Sequence, residues 1–432
     1  MQRNRFLGDL LSTLFDRRAA QRGREERRDI YALCHALMSA EGEVSGLRLA
    51  SAILDRYAAL DDAAKLAFFQ FLNTDFDVDA PLLASLATQY GEDGDPDSFA
   101  ALSQAAEPKR QELLRRLNQP LGATADLVAM RVDLLGLLKA HPELKRTNLD
   151  FVHLLRSWFN RGFLVLQQIS WDTPARILDK IVAYEAVHQI NDWDDLRRRL
   201  YPSDRKCFAF FHPSMPDEPL IFVEVALSAT IPGSIDDVLS ERRDPLEAQS
   251  AKVAVFYSIS NCQKGLTGVS FGNLLIKQVV SELMMALPQL EHFVTLSPIP
   301  GLNRWLEGQR DDEVLGAAAE AVLAGQAPEA DVRAMAARYL TQAKREGGAP
   351  LDPVARFHLG NGAEIHDVHA NADTSANGRA QSSGAMVNYL YDLKYTETNH
   401  EDFALRNHIV AARPVQVLSN APLSVRPKEP SA

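Results

Sequence analysis

The sequence predicts an α+β protein in which an all-helical N-terminal domain precedes a mixed-sheet domain. Apolar residues recur at helical spacing through residues 1–160, and breakers such as residues 91–96 and 120–122 separate the predicted helices. From Gly162 onward the pattern changes, and short runs of β-branched and aromatic residues alternate with helices. We therefore expect two domains, residues 1–160 and residues 161–432.

The composition and the net charge argue against several classes of protein. The chain has 432 residues, of which 46% are apolar and 24% charged, as in ordinary globular proteins. Its net charge of −11 argues against a nucleic-acid-binding protein, which would need a basic face. No apolar run approaches the roughly 18 residues that a membrane-spanning helix requires. We therefore expect neither a nucleic-acid partner nor a membrane.

The cysteines indicate a reducing compartment. Cys34, Cys207 and Cys262 are too few and too widely spaced for a disulfide framework or a zinc site. The C-terminal tripeptide Pro-Ser-Ala is not a peroxisomal signal. We therefore expect a cytoplasmic location and no bound metal.

The N-terminal segment is basic and amphipathic. Such a segment is compatible with a transit peptide, or with a helix that packs on its own domain or on a partner subunit. Asp9 and Asp16 favour the packed helix, because transit peptides avoid acidic residues. The sequence of residues 1–160 shows no cluster of plausible catalytic side chains. We therefore expect the helical domain to serve packing and to form a homo-oligomer, either a dimer or a tetramer.

The second domain is predicted to begin with a strand, two helices and a hairpin. The first helix has a good start signal, because Thr173 can cap it and Pro174 suits its first turn. The next two strands are joined by a turn with three prolines, so they should pair antiparallel. The predicted bounds are 163–169 for the first strand, 174–188 and 193–200 for the helices, and 207–212 and 220–227 for the hairpin.

Residues 253–301 form the segment around which the domain is organised. A β-branched and aromatic run over residues 253–259 predicts a strand covered on both faces. A loop with three glycines, a helix over residues 274–287 and a strand over residues 293–296 complete a parallel crossover unit. Ser297 follows the second strand, and ligands gather at the carboxyl ends of parallel strands.

The rest of the chain predicts a mixture of helices, strands and loops. Helices are expected within residues 311–347, and residues 356–359 have strand character. Residues 371–384 are small and polar, which predicts a mobile loop. We expect a final strand over residues 386–393 and an irregular tail after Val415.

Several blocks of sequence resemble the malonyl-CoA decarboxylases. They are YSIS, GLTGVSFGNLLIK, TLSPIPG, VARFHLGNGA and MVNYLY, and the match covers roughly residues 150 to 395 in order. The resemblance implies a helical N-terminal domain followed by a GNAT-like mixed-sheet catalytic domain, and the predicted element order agrees with the GNAT fold. It also implies conversion of malonyl-CoA to acetyl-CoA and carbon dioxide without a metal or organic cofactor.

The resemblance further implies catalytic roles for Ser297, His358 and Tyr391. Loss of the malonyl carboxylate leaves a thioester enolate, which needs hydrogen-bond donors and a proton at carbon. The family assigns the serine to the carboxylate side and the histidine to proton donation, while the tyrosine lines the pocket beside Asn388, a further substrate-binding candidate. Without the matching blocks, Ser297 would be interpreted as a strand-end turn residue and His358 as a hydrogen-bonded sheet histidine.

An acyl-CoA-binding segment is predicted before the central helix. Backbone N–H groups at the start of a helix would hold the pyrophosphate or the thioester oxygen. Animal members of the family carry a glutamate in place of Ser270 that helps to order the histidine, so another group must orient His358 here. The predicted segment comprises Thr267, Gly268, Val269, Ser270, Phe271, Gly272 and Asn273.

Other functions compete with this interpretation. A GNAT acyltransferase would share the fold but would need an amine acceptor and release free CoA. The run GVSFG matches the nucleophile elbow of serine hydrolases or thioesterases, yet about ten residues separate Ser270 from the predicted strand end. His366, Asp367 and His369 offer a loose spacing for a metal site. A non-enzymatic scaffold would leave the matching blocks unexplained.

Overall fold

The structure is a computed structural model that describes residues 28–40, 42–269 and 272–425, without the side chains of residues 272–274. The amphipathic N-terminal segment lies outside these ranges, so its two interpretations stay open. None of the helices in the described ranges combines the length and the apolar content that crossing a bilayer requires.

The described chain divides into two compact units, and the first contains the residues up to Leu164. Residues 212–216 and the described part of 263–270 also belong to it. Aspartate side chains cap several of its helices: Asp29 and Asp61 each accept a hydrogen bond from the backbone N–H three residues on, at 2.7 and 2.8 Å. The main helices are α1 (Ile30–Met38), α2 (Glu43–Ala58), α3 (Asp62–Thr74), α4 (Ala80–Asp93), α5 (Pro96–Ala106), α6 (Lys109–Leu117), α7 (Ala123–Leu137) and α8 (Lys145–Trp158).

The second unit is built on an eight-stranded mixed sheet, which confirms the predicted α+β class. The strand order is β1-β2-β3-β4-β5-β8-β6, and β7 pairs with β8. Every pairing is antiparallel except that of β4 with β5. The strands are β1 (Val165–Ile169), β2 (Arg205–Phe211), β3 (Ile221–Ser228), β4 (Val253–Asn261), β5 (His292–Thr295), β6 (Ser297–Pro298), β7 (Glu364–His369) and β8 (Met386–Leu390).

Helices connect and cover these strands. The predicted hairpin is confirmed, because β2 and β3 pair antiparallel from Arg205 opposite Ala226 to Phe210 opposite Ile221. The helices of this unit are α9 (Ala175–Tyr184), α10 (Trp193–Leu200), α11 (Ile235–Leu239), α12 (Gly272–Ala286), α13 (Leu302–Glu307), α14 (Gly316–Leu323), α15 (Glu329–Gln342), α16 (Pro353–Gly360), α17 (Ala376–Ser382), α18 (Thr396–Arg406) and α19 (Arg413–Leu418).

The central pair of parallel strands parts at its carboxyl end. Pairing of β4 with β5 runs from Val253 opposite His292 to Phe256 opposite Thr295. Beyond Phe256, β4 continues beside β3 to Asn261, with a register shift in the β3–β4 pairing. The chain of β5 instead turns into β6, which pairs with β8. Ser297 therefore lies where the two strands have separated.

Two predictions about the last third of the chain are wrong. Residues 356–359 belong to helix α16 rather than to a strand, because Asp352 accepts a hydrogen bond from the Ala355 N–H at 2.8 Å and Pro353 occupies the first turn. Residues 371–384 are no structureless loop, since Ser375 caps α17 within them. The last described helix, α19, ends at Leu418, and residues 419–425 form neither helix nor strand, in line with the predicted irregular tail. Strand β7 was not predicted.

Candidate active site

Ser297 owes its position to the end of strand β5. The last residue of β5, Thr295, and Ser297 are two positions apart in extended chain, so their side chains lie on the same face of the sheet. The Ser297 hydroxyl donates a hydrogen bond to the Thr295 hydroxyl, with 2.8 Å between the oxygens. Ser297 is only 6% exposed, and Val387 of strand β8 stands opposite it. The serine hydroxyl is therefore held in a fixed direction.

His358 meets Ser297 from helix α16. The imidazole Nε2 lies 3.2 Å from the Ser297 hydroxyl oxygen, so the two residues that the sequence singled out share one buried site. The ring is 3% exposed. The structure thus brings together residues that are 61 positions apart in the sequence.

Two tyrosines from the end of strand β8 hold the other side of the imidazole. The Tyr391 hydroxyl lies 2.8 Å from His358 Nδ1, and the Tyr391 N–H donates to the Phe293 carbonyl of β5 at 2.8 Å. The Tyr389 ring stacks on the imidazole, with centroids 4.5 Å apart and planes 24° apart. Tyr389 and Tyr391 are therefore the groups that orient this ring.

Burial sets the protonation of these groups. Loss of solvent lowers the pKa of His358 to about 3, because an imidazolium ion is poorly stabilised in an apolar site. The same burial raises the pKa of Tyr391 well above its ordinary value. The imidazole and the phenol are therefore both neutral near pH 7. A neutral imidazole carries one N–H donor and one acceptor nitrogen.

Asn388 is not brought together with the serine and the histidine. Side chains alternate between the faces of a strand, so Asn388 points away from the face that carries Tyr389 and Tyr391. Its amide donates to the Thr295 carbonyl at 2.9 Å, and its amide oxygen lies 2.5 Å from Nε2 of His369. These contacts occupy the side chain within the sheet.

The part of the predicted acyl-CoA segment before Ser270 belongs to the first unit. Arg131 of helix α7 donates to the carbonyls of Gly265 and Thr267, at 2.6 and 2.8 Å. Arg156 of helix α8 donates to the Gly268 carbonyl at 3.2 Å. A side chain at position 265 would lie 2.0 Å from the Val128 carbonyl, so glycine is required there.

The remaining residues of that segment are described in part. The backbone of Gly272 and Asn273 begins helix α12, as predicted. Val269 is buried, with 8% of its surface exposed. Ser270 and Phe271 lie outside the described residues, so the structure gives no position for the serine of the GVSFG run.

The side chains of the loose metal motif point to separate partners. Asp367 accepts a hydrogen bond from Arg333 at 3.0 Å, while His369 contacts Asn388. Within residues 28–40, 42–269 and 272–425, no group of three or more His, Cys, Asp or Glu side chains is placed to hold a metal ion.

A cavity of about 950 Å³ in the second unit contains none of the predicted site residues. Its lining includes Glu185, His188, Arg199, Asp236 and Asp373. Burial lowers the pKa of His188 to about 4. Arg199 is paired with the buried Glu224 at 3.2 Å, so it is not a free cation for a ligand. The candidate active site is therefore the Ser297–His358 contact rather than this cavity.

The fold and the buried hydroxyl–imidazole pair define a GNAT-like enzyme. The family model "Malonyl-CoA decarboxylase C-terminal domain" matches residues 162–429, and "Malonyl-CoA decarboxylase N-terminal domain" matches residues 76–159. The chain belongs to the malonyl-CoA decarboxylase family and is a carboxy-lyase.

Curated relatives and solved structures agree with this family. The chain is 37% identical over 352 residues to the mitochondrial malonyl-CoA decarboxylase of Anser anser anser, covering 72% of this chain and 69% of the relative. It is 35% identical to that of Mus musculus, covering 74% and 72%. The crystal structure of the Rhodopseudomonas palustris enzyme has a TM-score of 0.84 at 50% identity, covering 90% of this chain and 98% of that chain. The Agrobacterium vitis enzyme has a TM-score of 0.85 at 47% identity, covering 90% and 99%.

The buried imidazole predicts a loss of stability in mild acid. Its folded-state pKa of about 3 lies below the ordinary value of about 6.5 in the unfolded chain, so the unfolded chain binds more protons between these values. The stability that the neutral ring contributes is complete above pH 6.5 and is lost as the pH falls toward 3. At pH 5 we expect His358 to account for a loss of about 2 kcal/mol, at about 1.36 kcal/mol per pH unit.

Urea unfolding at pH 7 and pH 5 measures this loss. The His358→Gln variant should lose about 2 kcal/mol less between the two pH values than the unaltered chain, because glutamine does not titrate. His153→Gln, at an exposed position, serves as the control and should leave the difference unchanged. An equal loss in His358→Gln and the unaltered chain would contradict the neutral buried ring.

Proposed function

We propose that the chain converts malonyl-CoA to acetyl-CoA and carbon dioxide through a thioester enolate, with Ser297, His358 and Tyr391 as its acting groups. The observation that carries this proposal is the 3.2 Å contact between the Ser297 hydroxyl and the His358 Nε2, buried beside the point where strands β4 and β5 part. Membership of the family supports malonyl-CoA as the substrate.

The chemistry asks for hydrogen-bond donors rather than for a strong acid. When the bond between Cα and the carboxylate breaks, the electron pair moves onto Cα and the thioester oxygen. Fixed donors in a water-poor site stabilise that charge without reorganising. The N–H of the His358 ring supplies such a donor, and no metal or organic cofactor enters the proposal. In this scheme Ser297 faces the malonyl carboxylate and His358 delivers the proton to Cα.

A neutral imidazole suits this role. An imidazolium ion next to Ser297 would stabilise the carboxylate of the substrate as well as the enolate, and equal stabilisation of both does not accelerate the chemical step. A neutral N–H instead interacts more strongly as negative charge builds up on the thioester. The thioester carbanion is strongly basic, so it can take a proton from a weak acid. The low pKa of His358 therefore supports proton donation from the neutral ring.

The loop before helix α12 is the proposed acyl-CoA-binding segment. Its backbone N–H groups would face the pyrophosphate or the thioester oxygen at the start of a helix. Arg131 and Arg156 hold three carbonyls of the loop. Of the N–H groups of the same peptides, those of Leu266 and Val269 donate within the loop, and that of Gly268 has no acceptor among the described residues. The two guanidinium groups also place positive charge beside a segment that would hold phosphates.

Replacing the serine or the histidine should nearly abolish turnover. We expect Ser297→Ala and His358→Asn to lower kcat by at least about a hundredfold, the usual contribution of a positioned proton-transfer group. Acetyl-CoA and carbon dioxide are measured by mass spectrometry from malonyl-CoA alone, without an amine, which also separates a decarboxylase from an acyltransferase.

Ser270→Ala is the matched control for this experiment. It should stay within about tenfold of the unaltered chain, because a binding-loop side chain contributes about one hydrogen bond. A severe loss in Ser270→Ala, together with covalent labelling of Ser270 by a fluorophosphonate, would favour the serine hydrolase instead. Near-normal activity of Ser297→Ala or His358→Asn would remove that residue from the mechanism.

Release of the loop from Arg131 should weaken substrate binding. We expect Arg131→Met to raise the KM for malonyl-CoA about tenfold with a smaller change in kcat, since hydrogen bonds to a charged donor are lost. Arg115→Met, which removes a surface arginine paired with Glu107, is the control and should leave KM unchanged. An unchanged KM in Arg131→Met, with normal thermal unfolding, would separate the loop from acyl-CoA binding.

Assembly and location complete the proposal. We expect a homo-oligomer, a dimer or a tetramer, formed through the helical domain over residues 1–160, with residues 161–432 as the catalytic domain. Light scattering of the full chain tests the assembly, and a monomer at micromolar concentration would refute it. The curated animal relatives are named mitochondrial, while a cytoplasmic location stays our prediction for this chain.

A further inference from the structure

Thr295 is a buried hydroxyl next to the proposed catalytic pair that accepts two hydrogen bonds. It is the last residue of strand β5 and is 0% exposed. Its oxygen accepts the backbone N–H of Tyr389 at 3.2 Å and the hydroxyl proton of Ser297 at 2.8 Å. Thr295 therefore lies between Ser297 and the strand that carries both tyrosines.

The hydrogen bond from Ser297 to Thr295 determines which residue is the donor in the contact between Ser297 and His358. A serine hydroxyl has one proton and two lone pairs. When that proton is donated to Thr295, the Ser297 oxygen can only accept across the 3.2 Å that separate it from His358 Nε2. Nε2 must then carry the proton of the neutral ring.

The other side of the ring agrees with this assignment. With the proton on Nε2, Nδ1 has a free lone pair, and the Tyr391 hydroxyl donates to it across 2.8 Å. With the proton on Nδ1, the Tyr391 hydroxyl would instead accept. The donation from Ser297 to Thr295 selects the first arrangement, in which the hydrogen bonds run in one direction, from Tyr391 through His358 and Ser297 to Thr295.

We infer that Thr295 is a positioning residue that, by accepting the Ser297 proton, holds His358 with its proton on Nε2 and opens a proton relay from Tyr391 through the imidazole. The catalytic part of this inference rests on the proposed decarboxylation. The tautomer of His358 stands on the geometry alone.

The relay balances without forming a charged imidazole. The Cα–carboxylate bond breaks and carbon dioxide leaves with the electron pair on the enolate. The Cα–H bond then forms as the Nε2–H bond breaks, and Nδ1 takes the Tyr391 proton as the O–H bond breaks. After product release the ring returns the Nδ1 proton to the Tyr391 oxygen, and Nε2 takes a proton from water that enters the emptied site. The starting tautomer is thereby restored, with one proton taken from water in each turnover.

Nitrogen NMR of the unliganded chain tests the tautomer. With 15N-labelled histidine, the His358 signals are identified among the eleven histidines by their absence in His358→Gln. We expect a protonated Nε2 and an unprotonated Nδ1 in the unaltered chain. Thr295→Val removes the acceptor and should shift the ring toward the Nδ1-protonated form, whereas Thr295→Ser retains the hydroxyl and should keep the Nε2 form.

Kinetics of the same variants test the relay. Thr295→Val should lower kcat about tenfold with KM within about twofold, and Thr295→Ser should recover activity to within about threefold, since about one hydrogen bond is at stake. Thermal unfolding checks that both variants are folded. Serine rescue separates the lost hydroxyl from lost packing.

The outcomes distinguish this inference from the proposed function. A His358 ring protonated on Nδ1 in the unaltered chain overturns it, even if the chain decarboxylates malonyl-CoA. A Thr295→Val variant with an unchanged tautomer and unchanged kcat also overturns it. If the unaltered chain forms no acetyl-CoA, the proposed function and the relay fail together, and the NMR result still decides whether Thr295 sets the tautomer.

Discussion

The arrangement of the second unit depends on a neutral imidazole buried between two hydroxyl groups. An apolar site excludes the charged form of histidine, and it also requires that both ring nitrogens have partners. Those partners come from strand β6 and from the end of strand β8, while the ring itself comes from helix α16. The parting of β4 and β5 allows the three elements to meet. The order of the strands in the sheet therefore determines which groups can reach the buried imidazole, and with them the chemistry of the site.

Much of this arrangement could be predicted from the sequence. The run of β-branched residues, the glycine loop and the following helix indicated a parallel unit, and the structure confirms it. The sequence pattern predicts a strand where the helix of His358 lies, because a short apolar run has no clear period, whereas Asp352 and Pro353 supply the start signal of a helix. The family resemblance supplied the residue, whereas the local pattern gave it the wrong element. A matching block of sequence can thus identify a site residue without indicating the secondary-structure element on which it lies.

Some features of the site were not predicted from the sequence. They depend on the alternation of side chains along a strand and on contacts between distant residues. Thr295 and Ser297 share a strand face because they are two positions apart, and the same rule separates Asn388 from Tyr389. The shared face of Thr295 and Ser297 and the opposite faces of Asn388 and Tyr389 could both be predicted from the two-residue period of a strand. The bond from Arg131 to Thr267 joins positions 136 residues apart, and no local pattern could reveal it. Long-range contacts of this kind need the folded chain.

The most direct measurement of the central proposal is the fate of malonyl-CoA in heavy water. The proposal predicts carbon dioxide and acetyl-CoA in equal amounts without an amine, with one deuterium on the acetyl methyl group at early times, because the enolate takes its proton from an exchangeable donor. His358→Asn should form neither product above background. Release of free CoA only when an amine is added, or equal yields from His358→Asn and the unaltered chain, would contradict it.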